Sequence, residues 1–391
     1  MIDYNKFLSP RITSIPKSGI RKFFDIAEEM KDVLSLTVGE PDFNTPWHVR
    51  EEAIESLKKG KTKYTSNSGT LELRIEIDKY LTRRFDLSYD PKSEMVVTVG
   101  GSEAIDIAIR AVLSPGDEAI IPLPAFVCYA PIVSLAGATP VIIHTKMKDN
   151  FKLTPEDLKA AITDKTKLLI LPFPNNPTGA VMEKHELEEI AKIVKDADIL
   201  VLTDEIYAEL SYGFKHTSIA NLPDMRERTI LVNGFSKAFA MTGWRLGYVC
   251  APEPLLSQMF KIHQYAIMCS PTTSQTAGIK ALRDGDEDIE YMKNEYDGRR
   301  KIILEGLRQI GIDCFEPQGA FYVFPSLKKF GLSSDEFCER LLYEEKVAIV
   351  PGNAFGEAGE GFARISYAYS VPHINKALEK IDKFVKKIKL R

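Results

Sequence analysis

Leu200-Val-Leu-Thr-Asp-Glu-Ile-Tyr207 sets a short apolar run directly against two carboxylates and a tyrosine. An unbroken run of aliphatic and β-branched residues reads as a strand buried on both faces, the kind a parallel sheet uses. Runs of the same character recur at 95–99, 118–122, 139–143, 168–171, 230–232 and 246–250. Between them, 103–113, 125–135 and 186–194 space their apolar residues three and four apart, the helical period. The alternation predicts an α/β fold, in which a mostly parallel sheet is covered by helices to give three αβα layers. The C-terminal part has a different pattern. A charged helical segment over 289–307 leads to Gly319-Ala-Phe-Tyr-Val-Phe324, a helix near 335–346 and an amphipathic helix over 374–388, which together predict a smaller α+β domain. The first 45 residues contain little that folds alone and are expected to pack on that unit. The resulting division is a large domain over 46–285 and a small domain built from 1–45 and 286–391. No fixed-period repeat or low-complexity segment interrupts it.

At 391 residues the chain exceeds one core of ordinary size, which favours two domains. Lys and Arg number 51 against 55 Asp and Glu, so the formal net charge of -4 supplies no broad positive field for nucleic acid or an anionic membrane. Any anion must be held locally. Five cysteines stand far apart without zinc-type spacing, so reduced thiols, no metal and a cytoplasmic location are expected. The opening MIDYNKFLSPRITS lacks the apolar run of an export signal. The stretch 119–145 is long enough to span a bilayer and carries no charge apart from that of His144, but Pro122, Pro124, Pro131 and Pro140 break it. Buried strands and turns explain it better.

The residues with chemistry to offer follow the strands. Lys237 lies in Asn233-Gly-Phe-Ser-Lys-Ala-Phe-Ala-Met-Thr-Gly-Trp-Arg-Leu-Gly-Tyr248, among small and apolar neighbours. Such a setting disfavours the ammonium and leaves a neutral amine able to condense with a carbonyl, although a lysine taken without context is far more often a surface residue. Asp204 stands at a strand's carboxyl end, where open α/β sheets place their chemistry. It suits a protonated pyridine nitrogen and equally suits capping of a following helix. Pro174-Asn-Asn-Pro-Thr-Gly179 taken alone is a turn. In combination, Asn176 and Tyr207 become donors to a phenolate oxygen. Val96-Val-Thr-Val-Gly-Gly-Ser-Glu-Ala-Ile-Asp106 passes from strand through glycine turn to helix, aiming the amides of Gly101, Ser102 and Glu103 at an anion. It lacks the G-x-G-x-x-G pattern of a dinucleotide site, and many βα turns look alike. Arg245 and the Ser236 hydroxyl are further phosphate contacts. Phe126 suits stacking on a flat ring or plain core. Arg364, in Gly361-Phe-Ala-Arg-Ile-Ser-Tyr367, is an arginine in a strand-like run, served equally by a structural ion pair or a substrate carboxylate.

In their order along the chain, Gly-Gly-Ser-Glu, Asn-Pro-Thr-Gly, Asp-Glu-Ile-Tyr, Ser-Lys-x-x-x-x-x-Gly-Trp-Arg and Ala-Arg-Ile-Ser resemble the class I and II aminotransferases of fold type I, and most nearly the prokaryotic aspartate and aromatic branch. The likeness extends to Leu36-Thr-Val-Gly-Glu-Pro-Asp-Phe43, Lys63-Tyr-Thr-Ser-Asn-Ser-Gly-Thr70 and Val350-Pro-Gly-Asn-Ala-Phe-Gly356. The resemblance implies a pyridoxal 5'-phosphate enzyme moving the α-amino group of an L-amino acid, aspartate, aromatic or related, to a 2-oxo acid such as 2-oxoglutarate. It makes Lys237 the Schiff-base lysine and proton shuttle, Asp204 the partner of the pyridinium, and Asn176 and Tyr207 the holders of the phenolate. Arg245, Ser236 and the amides of Gly101, Ser102 and Glu103 hold the phosphate; Phe126 covers the ring. Arg364 clamps the substrate carboxylate beside Gly39 and Asn176, while Tyr64 reaches the neighbouring subunit's phosphate, which implies a homodimer. Gly234 departs from the serine many relatives carry three residues before the lysine. A lyase eliminating at the β or γ carbon is the alternative on the same scaffold, and a ligand-sensing regulator a more distant one.

Overall fold

The computed structural model describes residues 2–16, 19, 30 and 32–389, so part of the expected N-terminal segment of the small domain lies outside the described residues. Its strands are Leu34–Ser35 (β1), Met95–Thr98 (β2), Glu118–Leu123 (β3), Thr139–His144 (β4), Thr166–Leu171 (β5), Leu200–Asp204 (β6), Thr229–Gly234 (β7), Gly247–Cys250 (β8), Tyr322–Val323 (β9), Val347–Ala348 (β10), Val350–Pro351 (β11) and Ala363–Ser366 (β12). Each of the seven apolar runs became a strand of one sheet, in the order β2-β8-β7-β6-β5-β3-β4. All its strands are parallel except β8, which lies antiparallel between β2 and β7.

Alternate residues of these strands face opposite layers, as the period-two geometry requires. Val96, Leu202, Ile230 and Val249 pack with Ala104, Ala108 and Met259 of helices Gly100–Val112 and Glu253–Ala266. On the other face, Val97, Leu231 and Tyr248 meet Leu73, Ile77 and Ala281 of helices Leu71–Phe85 and Thr272–Asp284. The sheet is therefore the middle of three layers, with no strand reading as amphipathic.

One helix is shorter than its periodicity suggests. The 125–135 segment becomes helical only at Tyr129, because the Ala125 amide donates to the Phe355 carbonyl and leaves 125–128 as a loop carrying Phe126. Toward the C-terminus, β11, β12 and β9 form an antiparallel sheet, and β1 pairs in parallel with β10. Tyr296, Phe321, Phe337, Ile374 and Phe384 fill the core between these strands and helices Asp286–Ile310, Ser334–Glu345 and Val371–Lys389. The short helix Pro10–Thr13 lies instead against Tyr129–Ala136, with the Arg11 guanidinium beside Gly137. Among the described residues no helix is long and apolar enough to cross a membrane, and no cluster of His, Cys, Asp or Glu fits a metal ion.

Candidate active site

The parallel strands share one carboxyl edge, and the loops leaving it close around a cavity of about 350 Å³. β3 delivers Phe126, β5 Asn176, β6 Asp204 and Tyr207, and β7 Ser236 and Lys237; the helix after β2 presents Gly101 and Ser102. Arg245 precedes β8, Arg364 comes from β12, and Gly39 from the segment after β1. Residues scattered over 326 positions of sequence thus line one space. Two expected members do not: the Glu103 side chain turns away from the cavity, and Tyr64, 82% exposed, stands outside it.

Lys237 is held between rings. Its Nζ donates to the Gly39 carbonyl at 2.6 Å and lies 5.7 Å from the ring centres of both Tyr207 and Phe321. Burial, reinforced by the Arg364 and Arg245 charges, lowers its pKa to about 8 against the opposing pull of Glu40 and Asp204. A minor but appreciable share is therefore neutral amine near physiological pH, far more than for an ordinary lysine. Gly39 has to be glycine, since a Cβ there would stand 2.3 Å from the Tyr322 hydroxyl.

Asp204 is buried, and burial pushes its carboxyl up to about 6 although two hydrogen bonds oppose the shift. Oδ2 accepts from the Tyr129 hydroxyl at 2.7 Å and Oδ1 from the Ile206 amide at 3.2 Å. A turn rather than a helix follows Asp204, so the capping alternative loses its helix. The Tyr207 hydroxyl lies 2.7 Å from that of Tyr322, and burial holds its pKa well above the ordinary value, so it stays a protonated donor.

Arg364 is 3% exposed, yet none of the described residues offers it a carboxylate within ion-pair distance. It donates to Asn176 Oδ1 at 3.0 Å and to the Thr37 carbonyl at 2.5 Å, lies over the Tyr322 and Phe355 rings, and leaves Nε without a partner. A buried guanidinium is costly without an anion, and no ion pair with a described residue offsets that cost. In the 174–179 loop the neighbouring asparagines divide the work: Asn175 Oδ1 accepts from the Thr178 amide and hydroxyl and holds the turn, which frees Asn176 for Arg364.

The opposite end of the cavity sets the start of helix Gly100–Val112 against Arg245. Gly100, at φ +75°, starts the helix, and a Cβ there would lie 2.5 Å from Arg245 Nη2. Arg245 itself has φ +50°, a strained conformation for a non-glycine residue of the kind that functional sites retain. Gly234 pairs with Gly247 across β7 and β8, and a Cβ on Gly234 would stand 3.0 Å from the Gly247 Cα. A serine at that position has no room unless β8 shifts.

Sequence reading passed over Tyr129 and Tyr322, whose hydroxyls complete the environments of Asp204 and Tyr207. Both look like ordinary core aromatics and meet their partners across 75 and 115 residues.

The chain that builds this arrangement is similar to known proteins along nearly its whole length. The family model "Aminotransferase class I and II" matches residues 31–381. The aspartate aminotransferase of Pyrococcus abyssi is 47% identical over 98% of this chain and 99% of its own. The aromatic-amino-acid aminotransferase 2 of Thermococcus litoralis is 44% identical over 98% and 99%. The solved aspartate aminotransferase of Thermus thermophilus with maleate, 38% identical, superposes with a TM-score of 0.92 over 96% of this chain and 99% of that one. With a family model spanning most of the chain and relatives this similar from end to end, the chain belongs to the class I and II aminotransferase family, with the fold type I architecture.

Proposed function

We propose that this aminotransferase holds pyridoxal 5'-phosphate covalently on Lys237 and moves the α-amino group of an L-amino acid, of the aspartate or aromatic kind, to a 2-oxo acid such as 2-oxoglutarate. The observation that carries this reading is Arg364, a buried cation without a carboxylate beside the depressed Lys237 amine. The residues present fit the cofactor. Asp204 would hold its ring nitrogen, Tyr207 and Asn176 its phenolic oxygen, Phe126 its face, and Arg245, Ser236 and the amides of Gly101, Ser102 and Glu103 its phosphate. Bound there, the ring supplies an electron sink for the charge left on an amino acid's α-carbon. The protein's share is positioning and proton movement. Arg364, with Gly39 and Asn176 beside it, fixes the substrate carboxylate, so the α-hydrogen faces Lys237. Lys237 Nζ would take that proton as the neutral amine and, as the ammonium, would deliver it to the cofactor's carbonyl carbon. Asp204, ionised above about pH 6, keeps the ring nitrogen protonated.

A screen of amino acids without added 2-oxo acid tests the reaction: one equivalent of 2-oxo acid per site supports it, whereas continuous release would mean a lyase. Two further outcomes follow from the site. Capture of pyridoxal phosphate by the cofactor-free enzyme accelerates as pH rises through about 8 and then levels, because the depressed Lys237 loses its proton there rather than near the ordinary 10.5. Stopped-flow absorbance checks this, and a midpoint near the ordinary value contradicts it. Asp204→Asn removes a charge-assisted hydrogen bond of about 1.5–3 kcal/mol. The half-reaction then slows by roughly 10- to 150-fold with the cofactor still bound.

Tyr64 and Tyr265 are both largely exposed, the latter at 89%, and the loop that carries Tyr64 is tied to the end of the helix bearing Tyr265 by the Asn67 amide donating to the Met268 carbonyl. Apolar exposure of that extent suits a subunit interface, so a homodimer in which Tyr64 serves the neighbouring site is part of the proposal. So is the division into 46–285 and 1–45 with 286–391, supported by the β1–β10 pairing, although Pro10–Thr13 lies against the large domain's helix Tyr129–Ala136. A cytoplasmic location suits the five unpaired cysteines.

A further inference from the structure

His263, fully buried on helix Glu253–Ala266, lies outside the cavity, and no step above uses it. Its Nε2 is 2.8 Å from the Asn67 carbonyl, and its Nδ1 is 2.6 Å from Glu103 Oε1. A carbonyl only accepts, so Nε2 carries a hydrogen. The short Nδ1 contact then needs a second proton, shared between ring and carboxyl. Imidazolium with carboxylate, or imidazole with carboxylic acid, are the two arrangements possible, and both are neutral in sum. The other oxygen of Glu103 accepts from the Val99 amide at 2.5 Å.

Glu103 occupies the first turn of helix Gly100–Val112, next to Ser102, which lines the cavity. A carboxylate there suits the helix dipole but competes with an anion for the same positive end. We propose that His263 is a positioning residue for cofactor binding: by neutralising Glu103 and turning it away from the cavity, it leaves the helix N-terminus free for the cofactor's phosphate. Through Asn67 the same ring fastens the loop that carries Tyr64. The inference rests on the pyridoxal phosphate reading and adds a residue that no motif singled out.

The test compares wild type, His263→Gln and the double variant His263→Gln with Glu103→Gln, all prepared cofactor-free and checked by thermal unfolding. Glutamine keeps a donor but cannot balance the charge. His263→Gln is expected to bind pyridoxal phosphate on the order of 10- to 100-fold more weakly, from an unbalanced charge within one helical turn of the phosphate. Affinity for pyridoxal, which lacks the phosphate, stays within about twofold, and the double variant recovers most of the lost pyridoxal phosphate affinity. Unchanged affinity in His263→Gln, equal weakening of pyridoxal, or a double variant as weak as the single one overturns the inference, because each makes the pair a matter of packing alone. Wild-type protein that binds no pyridoxal phosphate removes the cofactor reading itself, an outcome separate from the other three.

Discussion

Lys237→Ala loses at least about 100- to 10,000-fold in the half-reaction, the range that a positioned proton-transfer group contributes. The methyl group left behind offers neither the covalent anchor nor the base. Lys237→Arg is equally inactive even though it keeps the charge, because a guanidinium stays protonated throughout the pH range in which this lysine, at about 8, releases its proton. Single-turnover absorbance after adding cofactor and amino acid separates the two losses, since external cofactor occupies the Lys237→Ala cavity noncovalently and the slow step is then proton transfer. A variant within tenfold of wild type assigns the base elsewhere.

Arg364→Ala weakens amino-acid reactivity by roughly 30- to 5,000-fold, the equivalent of the about 2–5 kcal/mol lost when one partner of a buried charge pair is removed. The larger loss concerns the substrate carboxylate; cofactor capture by Lys237 persists and slows only as far as losing the Arg364 charge lets the Lys237 pKa rise. Because none of the described residues pairs a carboxylate with Arg364, the substitution strands no acidic partner, and the cofactor-free protein still folds, with a loss of stability limited to the Asn176 and Thr37 hydrogen bonds and the ring contacts. Normal turnover in this variant would make the carboxylate clamp wrong. A collapse in stability would return Arg364 to a structural role.

The layout of the large sheet was legible because strands buried on both faces have no polar alternation to disguise them, as in Leu168, Leu202, Ile230 and Val249. The residues expected to line the cavity were legible from the order of their motifs along the chain, since Lys237, Asp204 and Arg364 each had an ordinary structural reading when taken alone. What surrounds them was not. Tyr129 and Tyr322 acquire roles only when the fold sets one hydroxyl against Asp204 and the other against Tyr207. His263 sits in an amphipathic helix where a core histidine attracts no notice, and only the crossing of that helix with Gly100–Val112 pairs it with Glu103. The start of the helix at Tyr129 was hidden for a similar reason, since the Phe355 carbonyl that captures the Ala125 amide lies 230 residues away.

The most direct test of the account is borohydride reduction of the purified enzyme loaded with pyridoxal phosphate, followed by peptide mass analysis. The account predicts a pyridoxyl group on Lys237 alone, with loss of the near-visible absorbance, and no label once an amino-acid substrate has converted the cofactor to its amine form. A label on another lysine, or a protein that neither absorbs nor reacts, contradicts it.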